Sequence, residues 1–227
     1  MKEKIRELVI KAGADVCGFA SIDRFDSVEA GFGPLDIWPD CRTVICLGVA
    51  LPKGLYCVPS RMIYARYNEL VCDMSDNMAL RSVKEIEKLG ITAVPLPSDG
   101  PYDYWDAEKK KGKGLVSIKE MAVECGLGSI GKNTMLINPK FGNRLNIGVI
   151  FIDYELESDP YAEDICIPGC TRCIENCPGH AIGEDGRVNQ LLCREQTYHQ
   201  TERGFSVVDC NRCRTMCPVR FGAESHK

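Results

Sequence analysis

The sequence predicts a mixed α/β chain in two parts: a layered amino-terminal domain of α/β/α sandwich type over residues 1–158, and a small cysteine-rich unit over residues 159–227. Two observations carry this reading. Segments of helical period alternate with short apolar runs of strand length as far as Tyr154. Beyond it the composition turns to Asp, Glu, Pro, Gly and Cys, and eight of the 14 cysteines crowd between Cys166 and Cys217.

Taken in order, Ile5, Leu8, Val9 and Ala12 fall on one helix face, and Gly13 is a stop signal. Asp15 to Ala20 reads as a short strand. Thr43 to Leu51 is a near-continuous apolar run, the pattern of a strand covered on both faces. A long helix is expected from Met62 to Leu89, with Val71, Met74, Met78, Val83 and Ile86 as its stripe and Gly90 as its end. Ile91 to Leu96 is the next strand. Pro97 to Gly114, with its Asp-Gly-Pro and Lys109-Lys110-Lys111 runs, reads as a solvated surface loop. Ser117 to Cys125 is expected to be helix and Leu145 to Tyr154 strand. The last 70 or so residues hold too little hydrocarbon for a core of their own, so something else must fasten them.

A hydrophobic fraction of 44% and a charged fraction of 26% are ordinary for a globular chain. The net charge of -4, with dispersed Lys and Arg, excludes duplex DNA as the main partner. Met1-Lys-Glu-Lys-Ile-Arg-Glu-Leu8 has no continuous apolar core of a signal peptide, and no segment approaches the ~20 apolar residues of a membrane span. A cytoplasmic protein is expected. In that reducing compartment clustered cysteines point to metal or redox chemistry and not to disulfides.

Cys166-Ile-Pro-Gly-Cys170-Thr-Arg-Cys173-Ile-Glu-Asn-Cys177-Pro178 is one ligand run, and Cys210-Asn-Arg-Cys213-Arg-Thr-Met-Cys217-Pro218 is the core of a second. Both contain C-x2-C-x3-C-P, the tail of the bacterial ferredoxin run, whose last cysteine ligates the neighbouring cluster. A tight C-x2-C turn reaches two corners of an iron cube, and the cysteine before proline points across to the other. Each half then needs one more thiolate, which Cys166 and Cys193 supply. The spacing assigns Cys166, Cys170, Cys173 and Cys217 to one [4Fe-4S] cluster, and Cys177, Cys193, Cys210 and Cys213 to a second. Structural zinc also uses C-x2-C knuckles, but the x3-C-Pro tail found twice argues against it. The only histidines are His180, His199 and His226, so the amino-terminal domain has no imidazole for a metal or for nucleophilic catalysis.

Gly126-Leu-Gly128-Ser-Ile-Gly131-Lys132-Asn133 matches G-x-G-x-x-G and most of the P-loop pattern. The first requires a preceding strand, where a helix is expected, and the second requires Ser or Thr where Asn133 stands. Nucleotide binding is therefore not the reading. Gly126, Gly128 and Gly131, with Lys132, Asn133 and Thr134, are read as a backbone-exposing loop that contacts a large cofactor.

The glycine element, continued through Met135-Leu-Ile-Asn-Pro139 and Arg144-Leu-Asn-Ile-Gly148, resembles the epoxyqueuosine reductase family and, more distantly, the reductive dehalogenases. Leu35-Asp-Ile-Trp-Pro39, Tyr64-Ala-Arg66, Val94-Pro-Leu-Pro97 and the double cysteine run follow that family in order. The resemblance implies a base-off cobalamin against the amino-terminal domain, one cluster near the corrin and one at the surface, and an electron donor such as a flavodoxin, a ferredoxin or a reductase. Where the family carries its acidic proton donor, this chain has Gly112-Lys-Gly-Leu115, so Tyr64, Tyr67, Tyr102 and Tyr104 become the donor candidates. The family's helical-repeat extension, which helps engage tRNA, has no counterpart before Lys227, so tRNA is not the expected substrate. The alternative function is an electron-transfer protein or reductive activator of another protein's cofactor.

Overall fold

The computed structural model describes residues 1–101 and 104–226. In chain order its elements are α1 (Lys2–Lys11), β1 (Val16–Ser21), α2 (Pro34–Ile37), β2 (Thr43–Ala50), α3 (Arg61–Glu87), β3 (Ala93–Leu96), β4 (Tyr104–Asp106), β5 (Lys111–Lys113), α4 (Ile118–Glu124), β6 (Ser129–Ile130), β7 (Leu136–Ile137) and β8 (Leu145–Ile152). The cysteine-rich part adds α5 (Arg172–Glu175), α6 (Gln190–Thr197), β9 (Tyr198–Gln200), β10 (Ser206–Val208) and α7 (Arg212–Thr215).

Four strands form the central sheet in the order β1-β2-β8-β3. Every pairing is antiparallel, and β2 and β8 run in register from Thr43 opposite Ile152 to Ala50 opposite Leu145. Alternate residues then serve opposite faces. Ile45, Leu47, Ile150 and Ile152 pack with Ile5 and Val9 of α1 and Val71, Val83 and Ile86 of α3. Val44, Cys46, Val149 and Phe151 pack with Met121, Ala122 and Cys125 on the other side. Because both faces are covered, the two central strands read as unbroken apolar runs. Helix–strand alternation usually marks a parallel sheet, but long connections let these strands return antiparallel.

The contact stripe of α3 differs from the expected one. Met74 is exposed and Met78 only partly buried, while Ser75, Ala79 and Ser82 are fully covered. Small residues lie at the contact because the helix runs close to β8: a Cβ on Gly148 would sit 3.2 Å from the Ser75 carbonyl oxygen. The expected loop at 97–114 contains a hairpin, β4 with β5, pairing Tyr104 with Lys113. Its Lys109 caps back onto Asp106, donating a backbone hydrogen bond of 2.9 Å.

Past β8 the chain is tied to the sheet at Asp159. This carboxylate accepts the Phe19 amide at 3.1 Å and pairs with Lys2 and Arg6 at 2.6 and 3.0 Å. Gly126 has φ 73°, and a side chain there would drive into the Pro160 carbonyl. That position needs glycine for both its handedness and its closeness to the crossing chain.

The two cysteine runs fold alike. The amides of Ile174 and Glu175 donate to Thr171, and those of Arg214 and Thr215 donate to Asn211. The amides of Cys177 and Cys217 then donate in the same way to the carbonyls of Ile174 and Arg214 in their own short helices. The helices α5 and α7 pack against each other.

Candidate functional site

Pairing of the two runs brings their thiols together in two places. Cys166, Cys170, Cys173 and Cys217 line one small pocket together with Ile137, Ile167 and Val219. Cys177, Cys193 and Cys213 share an apolar cluster with Ala181, Ile182 and Val188, on which Cys173 also packs, and Cys193 and Cys213 lie within electrostatic reach of Cys210. Burial is the main force raising the pKa of Cys213 and of Cys217, each to about 11, and repulsion within each quartet adds to it. Cysteines held close together in a poorly hydrated place suit a cationic metal core, which deprotonates its ligands on binding.

Among the described residues no three Cys, His, Asp or Glu side chains converge as the ligands of a single ion do. Around the first quartet lie Ile137, Ile165, Ile167 and Val219; around the second lie Ala181, Ile182 and Val188. The Cys177 sulfur also accepts the Ala181 amide at 3.3 Å.

The glycine loop fastens both runs. Lys132 Nζ donates to the carbonyls of Ile167 at 3.2 Å and Cys170 at 2.9 Å, in the first run. Buried Asn133 donates from Nδ2 to the Cys213 carbonyl at 3.1 Å, in the second. Thr134, at φ 56°, offers its carbonyl to Lys119 Nζ at 2.6 Å. Gly128 and Gly131 lie against Ile137. The loop thus meets the cysteine quartets, and Gly126, Gly128, Gly131 and Thr134 line neither of two large cavities nearby.

Those cavities, about 850 and 650 Å³, share Ser98, Asp99, Asn146 and Arg214 in their walls and so form one cleft. It lies between the sheet's open end and the cysteine-rich part. Together they exceed the space of an ordinary drug-sized ligand, and no histidine is in either wall.

Of the tyrosines expected as proton donors, Tyr64, Tyr67 and Tyr104 are absent from the cleft wall. Tyr64 is buried, its hydroxyl donates to Asn68 at 3.3 Å, and burial pushes its pKa up to about 12. Tyr67 and Tyr104 are exposed. Tyr102 lies outside the described residues. The helix and hairpin that carry the described three turn them toward core or solvent.

Groups that sequence reading passed over do line it. Asp99 stands in both walls, just past the end of β3. Lys119 lies on the wall of the larger cavity, and its pKa is lowered first by burial and then by the Arg214 charge. Asn146 donates to Cys72 Sγ at 3.0 Å from the end of β8. The available signal was position: each sits at the end of an element beside the cysteine-rich part.

No protein-family model matches the chain. It is 25% identical to the epoxyqueuosine reductase of Bacillus subtilis over its full length, spanning 65% of that relative. The enzyme of Lactococcus garvieae is also 25% identical over the whole chain, which spans 71% of it. A Synechococcus relative reaches 36% over 111 residues, 44% of this chain and 34% of the relative. Among solved structures, the epoxyqueuosine reductase of Streptococcus thermophilus superposes with a TM-score of 0.70 at 20% identity, covering 98% of this chain and 66% of that one. A catabolic reductive dehalogenase gives 0.71 at 17%, covering 98% and 32%. Along its whole length this chain is therefore a homologue of the epoxyqueuosine reductases, related in fold to the reductive dehalogenases and shorter than either.

Proposed function

We propose that the chain is a cytoplasmic iron–sulfur oxidoreductase of epoxyqueuosine-reductase type, with a ferredoxin-like unit over residues 159–227 holding two [4Fe-4S] clusters and a corrinoid seated on the domain formed by residues 1–158. What supports it is the homology to the epoxyqueuosine reductases together with the shared pocket of Cys166, Cys170, Cys173 and Cys217; Arg214, next to Cys213, lines the cleft. Cys166, Cys170, Cys173 and Cys217 hold one cluster; Cys177, Cys193, Cys210 and Cys213 hold the other. When bound, the clusters supply one-electron transfer and the corrinoid a strongly reducing cobalt centre.

The protein's own groups supply the rest. Lys132, Asn133 and Asn143 hold the cluster turns at fixed places, Asn143 by donating to the Arg214 carbonyl at 3.0 Å. Among the described residues the cleft wall carries no histidine, so a corrinoid bound there would be held by the other lining side chains. Lys119 carries a proton on the cleft wall, and its lowered pKa makes it a readier donor than an ordinary lysine. Reducing equivalents come from a small electron carrier, such as a flavodoxin or a ferredoxin, or from a reductase.

Anaerobic purification tests this directly. About eight iron atoms per chain are expected, as for two four-iron cubes, with a visible and EPR change when cobalamin is added. A colourless protein, or one holding zinc in place of iron, would falsify the reading; iron-replete protein that leaves cobalamin unbound would retain the clusters and remove the corrinoid.

A further inference from the structure

The two cysteine runs share backbone geometry but differ at one matching position: the residue after the middle cysteine is Ile174 in the first and Arg214 in the second. Ile174 packs on the apolar cluster around Cys177, Ala181 and Ile182. Arg214 instead reaches out of its run. Its Nη1 donates to the Asn143 carbonyl at 3.1 Å and to Tyr56 Oη at 3.4 Å, and the residue lines both cavities of the cleft.

These two acceptors are neutral. Among the described residues no carboxylate forms an ion pair with Arg214, although Arg6 and Arg61 each have one. Its backbone is clamped as well: Asn143 holds its own carbonyl, and Asn133 holds that of Cys213. Lys119 faces it across the larger cavity. The result is a fixed, unneutralised guanidinium between a cluster ligand and the cleft.

We propose that Arg214 sets the reduction potential of the cluster held by Cys177, Cys193, Cys210 and Cys213, and so fixes that cluster as the one that exchanges electrons with the cleft. The step is the uptake of one electron from a reductant, with no bond made and no proton moved. It adds one negative charge to the cluster, and a nearby positive charge that cannot relax away favours the reduced form. The inference rests on the two-cluster reading, and its test separates the two.

Redox titration of anaerobic protein with dithionite, followed by EPR, reads both clusters together. In Arg214→Gln one midpoint is expected to fall by about 59 mV or more, a tenfold loss of reduced cluster at fixed potential, while the other stays in place. Arg214→Lys, which keeps the charge, is expected to recover at least half of the shift. Unchanged midpoints in an iron-replete Gln variant overturn the inference and leave the clusters standing. Should the Gln variant lose iron, the Lys variant decides: a midpoint displaced downward by a tenfold ratio despite its charge overturns the electrostatic role. Wild-type protein without iron fails the cluster reading itself.

Discussion

The central sheet buries two continuous apolar clusters, one on each face, whereas beyond Leu156 the buried hydrophobic residues among those described are Cys177, Ala181, Ile182, Cys217 and Val219. Three are small or aliphatic, and two are cysteines assigned to clusters. The first region can fold on hydrocarbon alone. The second depends on polar fasteners from the first: Lys132, Asn133 and Asn143 on its carbonyls, and Arg61 on buried Asp209, one residue before Cys210. The hydrocarbon core and the clustered cysteines are therefore divided between regions, and the cleft lies at the seam between them.

The largest expected effect breaks this comparison at its weaker side. Removing iron by anaerobic chelation should leave amides of β2 and β8 protected from hydrogen exchange and release those of the cysteine-rich part. Protection of α5 and α7 in iron-free protein would mean that polar fasteners suffice. Cys193→Ala sharpens the assignment: iron should drop from about eight to about four per chain, since one of two cubes loses a ligand. Iron holding at about eight would remove Cys193 from the second quartet.

On the other side, Phe151→Ala should cost about 3–5 kcal/mol, because Phe151 is wholly buried in a central strand. Denaturant unfolding measures it, and iron content at low denaturant should be unchanged. A loss below ~1 kcal/mol would show that the Met121 face is not a packed core. At the seam, Asn133→Ala should destabilise by about 1–3 kcal/mol, leaving the Cys213 carbonyl without its buried donor. The EPR signal of the second cluster should broaden more than that of the first; equal broadening would argue that the loop acts on the domain as a whole.

How far these features could be read from sequence follows the same division. The runs at β2 and β8 were legible because burial on both faces leaves little polar residue in a strand. The cysteine runs were legible because ligand spacing is a short-range property, and Cys166, Cys170, Cys173 and Cys217 meet at one small pocket. Strand direction was not, since it depends on where long connections travel. The α3 stripe was misread at Met74 because close packing selects Ser75 and Ala79, which hydrophobicity passes over. Asp99, Lys119 and Arg214 come from three separate segments that meet only at the cleft, and no local pattern marks such a meeting.

The smallest effect concerns Lys119, and its sign distinguishes a cleft group from an ordinary surface lysine. Although the side chain is part exposed, desolvation of its ammonium on the cleft wall and then the Arg214 charge hold its folded pKa below the usual 10.5. In the window between those two values the unfolded chain binds more protons than the folded one, and stability rises with pH. Below the folded value the penalty is fully present; above 10.5 it is gone. Lys119→Gln removes the charge and keeps a donor for the Thr134 carbonyl. The variant should therefore be slightly more stable than wild type at pH 7, with the difference closing toward pH 10.5, as read from urea midpoints across that range. A constant offset at all pH values would assign the change to packing and place Lys119 outside the field of Arg214.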